Sequence, residues 1–192
     1  LIVTSTIHKK SSLSKDSSEN IYKTNDILIS KIDSSSGENI SSNILDSGGD
    51  DFSTSLAIGL DDSLYIGGIT SGNFDQQPAI GGKDSFLTKF NSQGEKEWTK
   101  LLGSELNARS NISITSILTT SDYSIYVTGN TSGNLDGLLS LDREYDRYAS
   151  NSEGGDGFFA KFSSKGEKEW THLFGSLDQD QVSRITNYKD NS

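Results

Sequence analysis

One stretch of this chain occurs twice. Residues 84–103 read DSFLTKFNSQGEKEWTKLLG and residues 156–175 read DGFFAKFSSKGEKEWTHLFG, aligned without a gap and identical through GEKEWT at 94–99 and 166–171. Such a repeat restricts the chain to architectures in which a small unit recurs and each copy buries its apolar face on the next. A weaker copy begins at Asp26 with DILISKIDSSSGENISSNIL. There Lys31 stands for Lys89 and, after a single insertion, Gly37 stands for Gly94, with Ser42 near the position of the tryptophan. A second element alternates with the first, SLYIGGITSGNFD at 63–75 and SIYVTGNTSGNLD at 124–136.

Both elements carry the marks of short strands: β-branched and aromatic residues alternate with polar ones, and the runs are bounded by Gly, Asn, Ser and Asp. Phe86, Thr88 and Phe90 fall on one side of such a strand and Leu87 and Lys89 on the other. NSQGE at 91–95 then reads as a hairpin turn in which Gly94 takes a positive φ. The expected unit has four strands, at 84–90, 96–102, 112–118 and 124–130. The chain is thus predicted to be all-β, about three four-stranded antiparallel sheets of roughly sixty residues each, stacked as the blades of a partial β-propeller. The expected division is 1–25 as the end of a preceding or closing blade plus a connection, 26–83 and 84–155 as successive repeats, the second with an insertion at 138–155, and 156–192 as a partial third.

The chain starts and stops out of phase with this unit. LIVTSTI at 1–7 resembles LYIGGIT at 64–70, and VSRITNYKDNS at 182–192 resembles the strand and turn that precede such a segment. Joined tail to head, the two would complete a blade. Three blades fall short of the usual four to eight, so the chain is read as a mature or excised slice of a longer array; pairing of its own ends and a six-bladed ring of two copies are the alternatives.

The residues Gly81, Gly82, Asp84, Phe86, Lys89, Phe90, Asn91, Gly94, Trp98, Leu102, Gly103, Ser104, Tyr126, Val127, Thr128, Gly129 and Thr131 echo a known pattern. It runs Gly-Gly-x-Asp-x-Phe, a Lys-Phe-Asn-x-x-Gly hairpin, a tryptophan strand, Leu-Gly-Gly-Ser and Tyr-Val-Thr-Gly-x-Thr. In this the chain resembles the SBBP-type bacterial β-propeller repeat. Ser104 departs from it, standing where the pattern has a second Gly, and so does Ile32, in place of Phe. The resemblance implies a propeller fold and a secreted or cell-surface bacterial setting.

Composition narrows the function. A formal charge of −10 and a pI near 4.6, with Lys and Arg scattered, argue against nucleic acid as partner, because phosphate binding needs clustered cations. With no cysteine there is neither disulfide nor thiolate metal site. No apolar run approaches the ~18 residues of a membrane span. No nucleophile elbow, phosphate loop or metalloprotease helix occurs, and His8 and His172 are not spaced as a metal pair. No catalytic residue is therefore assigned.

Up-and-down sheets place alternate connections at opposite ends. The short turns at 59–63, 91–95, 119–123 and 163–167 share one end, and the longer connections near 46–53, 71–82, 103–110, 132–155 and 175–181 share the other. Binding residues concentrate on variable loops of a rigid scaffold. The candidate ligand residues are accordingly Asp50, Asp51, Asn73, Asp75, Asn134 and Asp136, with Tyr145 and Tyr148 on the insertion, whose aromatics and Arg147 are of the kind that anchor interfaces. Asp46, Glu105, Asn107, Asp178 and Asp180 fall at the same end. No cofactor is required and no metal motif is present; Ca²⁺ on these carboxylates and amides is the one cation considered, against ordinary turn-forming Asp and Asn. Trp98 and Trp170 are read as packing residues rather than a sugar platform.

The expected function is a non-enzymatic extracellular or cell-surface module for binding, adhesion or scaffolding. Its expected partners are a protein or glycan at a surface and further blades of the same chain or a homo-oligomer. The alternative is a carbohydrate-active or other hydrolytic propeller whose active site lies mostly outside this segment, its carboxylates not singled out by spacing.

Overall fold

The computed structural model describes residues 1–10, 23–80, 83–103, 111–139, 155–176 and 180–188. Tyr145 and Tyr148, with most of the 138–155 insertion, and Gly81, Gly82, Ser104, Glu105, Asn107, Arg147 and Asp178 lie outside them.

Every element among the described residues is a strand, and no helix is long and apolar enough to cross a membrane. The first sheet contains β1 (Ile2–Lys10), β2 (Lys23–Ile32) and β3 (Asn39–Leu45), in that order. The second contains β4 (Asp51–Ile58), β5 (Leu64–Thr70), β6 (Asp84–Phe90) and β7 (Lys96–Leu102). The third contains β8 (Ile112–Thr119), β9 (Ile125–Thr131), β10 (Asp156–Phe162) and β11 (Lys168–Phe174). All pairs are antiparallel neighbours. These are propeller-type blades, and the three do not close into a ring.

The strand extents agree with the alternation in the sequence, but their grouping does not. β6 and β7 pair with β4 and β5, while β8 and β9 begin the next sheet. Taking 26–83, 84–155 and 156–192 as blades is therefore wrong by two strands. Residues 1–10 likewise belong to the sheet of 23–45 rather than to a preceding or closing blade, and among the described residues that sheet has three strands. The reason is where the chain crosses over. The connection at 71–83 returns to the neighbouring strand of its own sheet, whereas 103–111 passes to the next sheet. Both are long, so length did not distinguish them.

Register makes the copies equivalent residue by residue. Ile7, Thr70 and Thr131 pair with Asp26, Asp84 and Asp156, and Ser41, Trp98 and Trp170 pair with Lys31, Lys89 and Lys161. Ser41, not Ser42, thus holds the tryptophan position. The hairpin glycines do what their spacing demands: Gly37, Gly94 and Gly166 have φ of 74°, 86° and 76°, a region L-residues enter only at a cost. Each lies within a turn closed by main-chain bonds, such as Asn91 N to Glu95 O and Ser163 N to Glu167 O, both 2.9 Å.

Stability comes from faces rather than from single sheets. Ile27, Ile29 and Leu45 pack on Leu64, Ile66, Phe86 and Phe90 of the second sheet. On its opposite side the second sheet offers Tyr65, Leu87 and Leu102 to Ile114, Val127, Phe158 and Phe162 of the third. Each fully buried side chain of this size contributes about 1.5–3 kcal/mol of transfer free energy. The indole N–H of Trp98 donates to Ser164 O at 3.3 Å, in the hairpin of the next sheet, and Gly166 sits against the ring where a Cβ would collide with it. Trp98 and Trp170 hold the same strand position, and each ring contacts aromatic neighbours within its own sheet, Tyr65 for Trp98 and Tyr126 and Phe159 for Trp170.

Candidate functional site

The short hairpins and the long connections do gather at opposite ends of each sheet, as the antiparallel order requires. At the long-connection end, each repeat opens on an aspartate without solvent exposure: Asp26, Asp84 and Asp156 are all at 0 %. Asp84 and Asp156 open β6 and β10, and Asp26, the fourth residue of β2, holds the equivalent register position. Asp84 accepts the Ile80 N–H at 2.6 Å, and Gly103 lies so close that a Cβ there would meet the Asp84 carboxylate. Gly175 holds the same place against Asp156.

In the first sheet that glycine is replaced by Asp46. One carboxylate oxygen from each of Asp26, Asp46 and Asp51 lies within 4.8 Å of the others, with Asp26 and Asp51 buried and Asp46 exposed. Asp51 is a latch: Ser47 donates its N–H (2.8 Å) and its hydroxyl (2.7 Å) to it. Asp180 holds Ser176 in the same way, through N–H and hydroxyl. Burial pushes the Asp51 carboxyl above its usual range, and the charge of Asp26 adds to this, against the hydrogen bonds from Ser47 and Thr70. Asp46 closes its own turn by accepting the Gly48 N–H at 2.7 Å. Among the described residues these three carboxylates are the group able to hold a hard cation. One gathered oxygen from each falls short of the six to eight Ca²⁺ takes, so main-chain carbonyls and water would supply the rest.

The other sequence-selected residues are drawn into the fold. Asp50 accepts from the Asn25 N–H (3.0 Å) and the Asn25 amide (2.8 Å), tying the first sheet to the second. Asn73 accepts the Ala79 N–H at 2.9 Å. Asp75 and Asp136 have positive φ (50° and 54°) and pair with Lys96 and Lys168, and Asp136 also accepts from the Thr171 hydroxyl at 2.5 Å. These contacts carry the connection back along the outer strand of its own sheet. Gln77 marks the same path, its amide donating to Thr99 O and its carbonyl accepting Leu101 N–H. Asp75 and Asp136 therefore lie beside β7 and β11 and do not join Asp50 and Asp51. Asn134 lies in the same connection as Asp136, half-buried. A shallow cleft of about 190 Å³ beside β11 is lined by Asp136, Leu138, Lys168, Glu169, Trp170 and Thr171.

Residues 97–136, running from β7 through β8 and β9 to the turn at Asp136, match the family of the SBBP β-propeller repeat. This segment is similar to an SBBP repeat. The SBBP match begins in one sheet and ends in the next, so it spans a junction between blades rather than a single blade. No curated protein matches the chain.

Sequence reasoning passed over Asp26, although the signal was present: it opens the repeat in register with Asp84 and Asp156. It also passed over the ion pairs inside the stack. Lys89 is buried, bonded to Glu97 at 2.9 Å and near Asp61 at 3.5 Å, beside the Tyr65 ring. Burial alone would lower its pKa, but Glu97, Tyr65 and Asp61 together raise it. Lys161 repeats the arrangement with Glu169 at 2.8 Å and Tyr126.

Proposed function

We propose that this propeller module is a non-catalytic binding or scaffolding element that presents its long-connection end to a protein or glycan, in a secreted or cell-surface bacterial setting. The observation that carries the proposal is the way carboxylates at that end are used. Asp50, Asp51, Asp84 and Asp180 accept hydrogen bonds that pin the connections onto the sheets. Acids committed to holding loops give a pre-organised rim, which lowers the entropic cost of engaging a large partner. A hydrolytic site calls instead for carboxylates left available to a substrate. The extracellular setting rests on the kinship with SBBP repeats and is part of the same proposal.

The test is binding of the labelled chain to cell-envelope glycans and intact bacterial cells. Asp46→Lys together with Ile80→Lys, both exposed at the long-connection end, is expected to abolish retention. Gln93→Lys together with Lys165→Glu, at the hairpin end, is expected to preserve it. Equal loss from both pairs, or turnover of a glycan by the unaltered chain, would defeat the proposal.

A further inference from the structure

The turn between β4 and β5 and the turn between β8 and β9 are neighbours at the hairpin end. Thr119 Oγ1 donates to Ile58 O at 2.8 Å and Ile117 N donates to Ser55 Oγ at 3.1 Å, so the strands leading into the two turns run together. The turns are closed alike, Gly59 N to Ser63 O at 2.8 Å and Thr120 N to Ser124 O at 3.1 Å. By register, Leu60, Asp61 and Asp62 correspond to Ser121, Asp122 and Tyr123. Leu60 is 65 % exposed and Tyr123 is 53 % exposed. This exposure does not come from a missing neighbour. Ser121 is exposed although the second sheet precedes it, and Asp62 is exposed although the third sheet follows it. Neither flank covers these positions, so Leu60 and Tyr123 face solvent in a longer stack as well.

Tyr123 is held there at a cost. Its φ is 62° and that of Asp62 is 58°, in the left-handed region that Asp and Asn enter readily and a bulky side chain does not. Folding alone favours Asp or Asn at this place, and an exposed ring gains too little burial to offset the strain. Tyr is instead a residue that anchors interfaces, through a large rigid ring with a polar tip. Acids surround the two apolar side chains. Asp62 is exposed. Asp122 accepts from the Thr120 hydroxyl at 2.5 Å and from Ser124, and these bonds hold its carboxyl at about 2. Desolvation raises the Asp61 carboxyl, but hydrogen bonds from Ser63 and the charge of Lys89 outweigh it and lower its pKa. Lys89 itself is buried and bonded to Glu97 at 2.9 Å, and neither turn holds a Lys or Arg of its own. The exposed charge of the two turns is therefore negative.

We propose that these two turns form a docking surface for a basic segment of another protein, Leu60 and Tyr123 receiving an apolar side chain and Asp61, Asp62 and Asp122 receiving the Lys or Arg that flank it. Charge complementarity selects this occupant. The same carboxylates repel phosphate, so neither nucleic acid nor an anionic membrane surface fits the patch. The acids steer and orient the incoming segment, and the apolar contact sets how long it stays. The surface lies at the end opposite the long connections, so the inference stands apart from the function proposed above.

The experiment titrates the 192-residue chain into a fluorescent peptide of alternating Lys and Leu, and into a lysine-only peptide of the same length, reading anisotropy at low salt and at about 0.15 M salt. The mixed peptide is expected to bind about tenfold tighter than the lysine-only one, as an interface anchor contributes. No binding, or equal affinity for the two peptides, overturns the proposal. Leu60→Ser should remove that advantage and leave the lysine-only peptide unaffected, whereas Asp62→Asn should weaken both and flatten their salt dependence. Ile44→Ser and Phe174→Ser alter exposed apolar positions elsewhere on the first and third sheets and are expected to change nothing; a loss equal to that of Leu60→Ser overturns the location. Tyr123→Asn separates binding from folding. Because Asn suits a positive φ, its urea midpoint is expected to rise while affinity for the mixed peptide falls about tenfold. A Tyr123→Asn chain that binds as tightly as its parent overturns the anchor, and one with a lower midpoint overturns the argument that the fold does not call for Tyr there.

Discussion

Replacing Asp46 with Asn isolates the effect of gathering three carboxylates at one end of the first junction. The amide keeps the oxygen that accepts the Gly48 N–H and removes only the charge. Two like charges 4.8 Å apart repel by about 0.9 kcal/mol in water and about 3.5 kcal/mol at an effective dielectric of 20. Asp46 is exposed, so the lower figure governs. We expect Asp46→Asn to be about 1 kcal/mol more stable than the unaltered chain. The measurement is urea unfolding at pH 7, low salt and fixed protein concentration, with a chelator present. The gain should shrink as salt is added. A variant no more stable than its parent in chelator would refute the electrostatic reasoning. Millimolar Ca²⁺ is the second arm: an ion held by all three carboxylates reverses the order, and unchanged midpoints leave the group a repulsive cluster only.

Three further outcomes are expected. Gly68→Ala and Gly129→Ala should each be strongly destabilising, because a Cβ at either site meets a main-chain carbonyl and the ring of Phe86 or Phe158, whereas Ser5→Ala at the equivalent edge position should change the urea midpoint little. Phe86→Ala, at a fully buried site between the first two sheets, should cost about 3–5 kcal/mol, and His172→Ala on an exposed strand position far less. For pH, the Asp33 and Asp122 carboxyls are lowered to about 2 by hydrogen bonds from Ser35 and Thr120 first and from their neighbouring turn groups next. Their stabilisation is complete above the unfolded value of 3.8 and is lost as pH falls toward 2. Asp51, raised in the fold, acts oppositely, its penalty easing as pH falls through its folded value. Thermal midpoints of Asp33→Asn with Asp122→Asn should therefore fall less steeply between pH 4 and pH 2 than those of the unaltered chain, and a parallel curve would contradict the assignment.

Much of the architecture could be read from the residues. Alternation placed the strands, and the recurring Gly94 and Gly166 placed the hairpins, because a positive φ at a tight turn is a local requirement. The likeness of LIVTSTI to LYIGGIT marked residues 1–7 as a strand, but as one of a preceding or closing blade, whereas β1 pairs with β2. Phase was not legible, since a repeat has no intrinsic starting point and the connections at 71–83 and 103–111 are both long. Nor was the path of the first of these. Nothing local in NFDQQ announces that Asp75 will reach Lys96 or that Gln77 will satisfy the edge of β7, because both partners lie across a fold not yet formed. The acidic group at Asp26, Asp46 and Asp51 depended on noticing that Asp46 replaces Gly103 and Gly175, a comparison available only once the sheets are in register.

The two-strand offset between repeat and sheet bears on how such an array changes length. A segment holding one complete sheet, such as 51–102, draws its first hairpin from one copy and its second from the next. Recombination between copies at the boundary of a repeat therefore splices hairpins of different parentage into a single hydrogen-bonded ladder. Each gain or loss of a copy tests β5 against a new β6, so the pairing edge of these middle strands limits which copies can be neighbours.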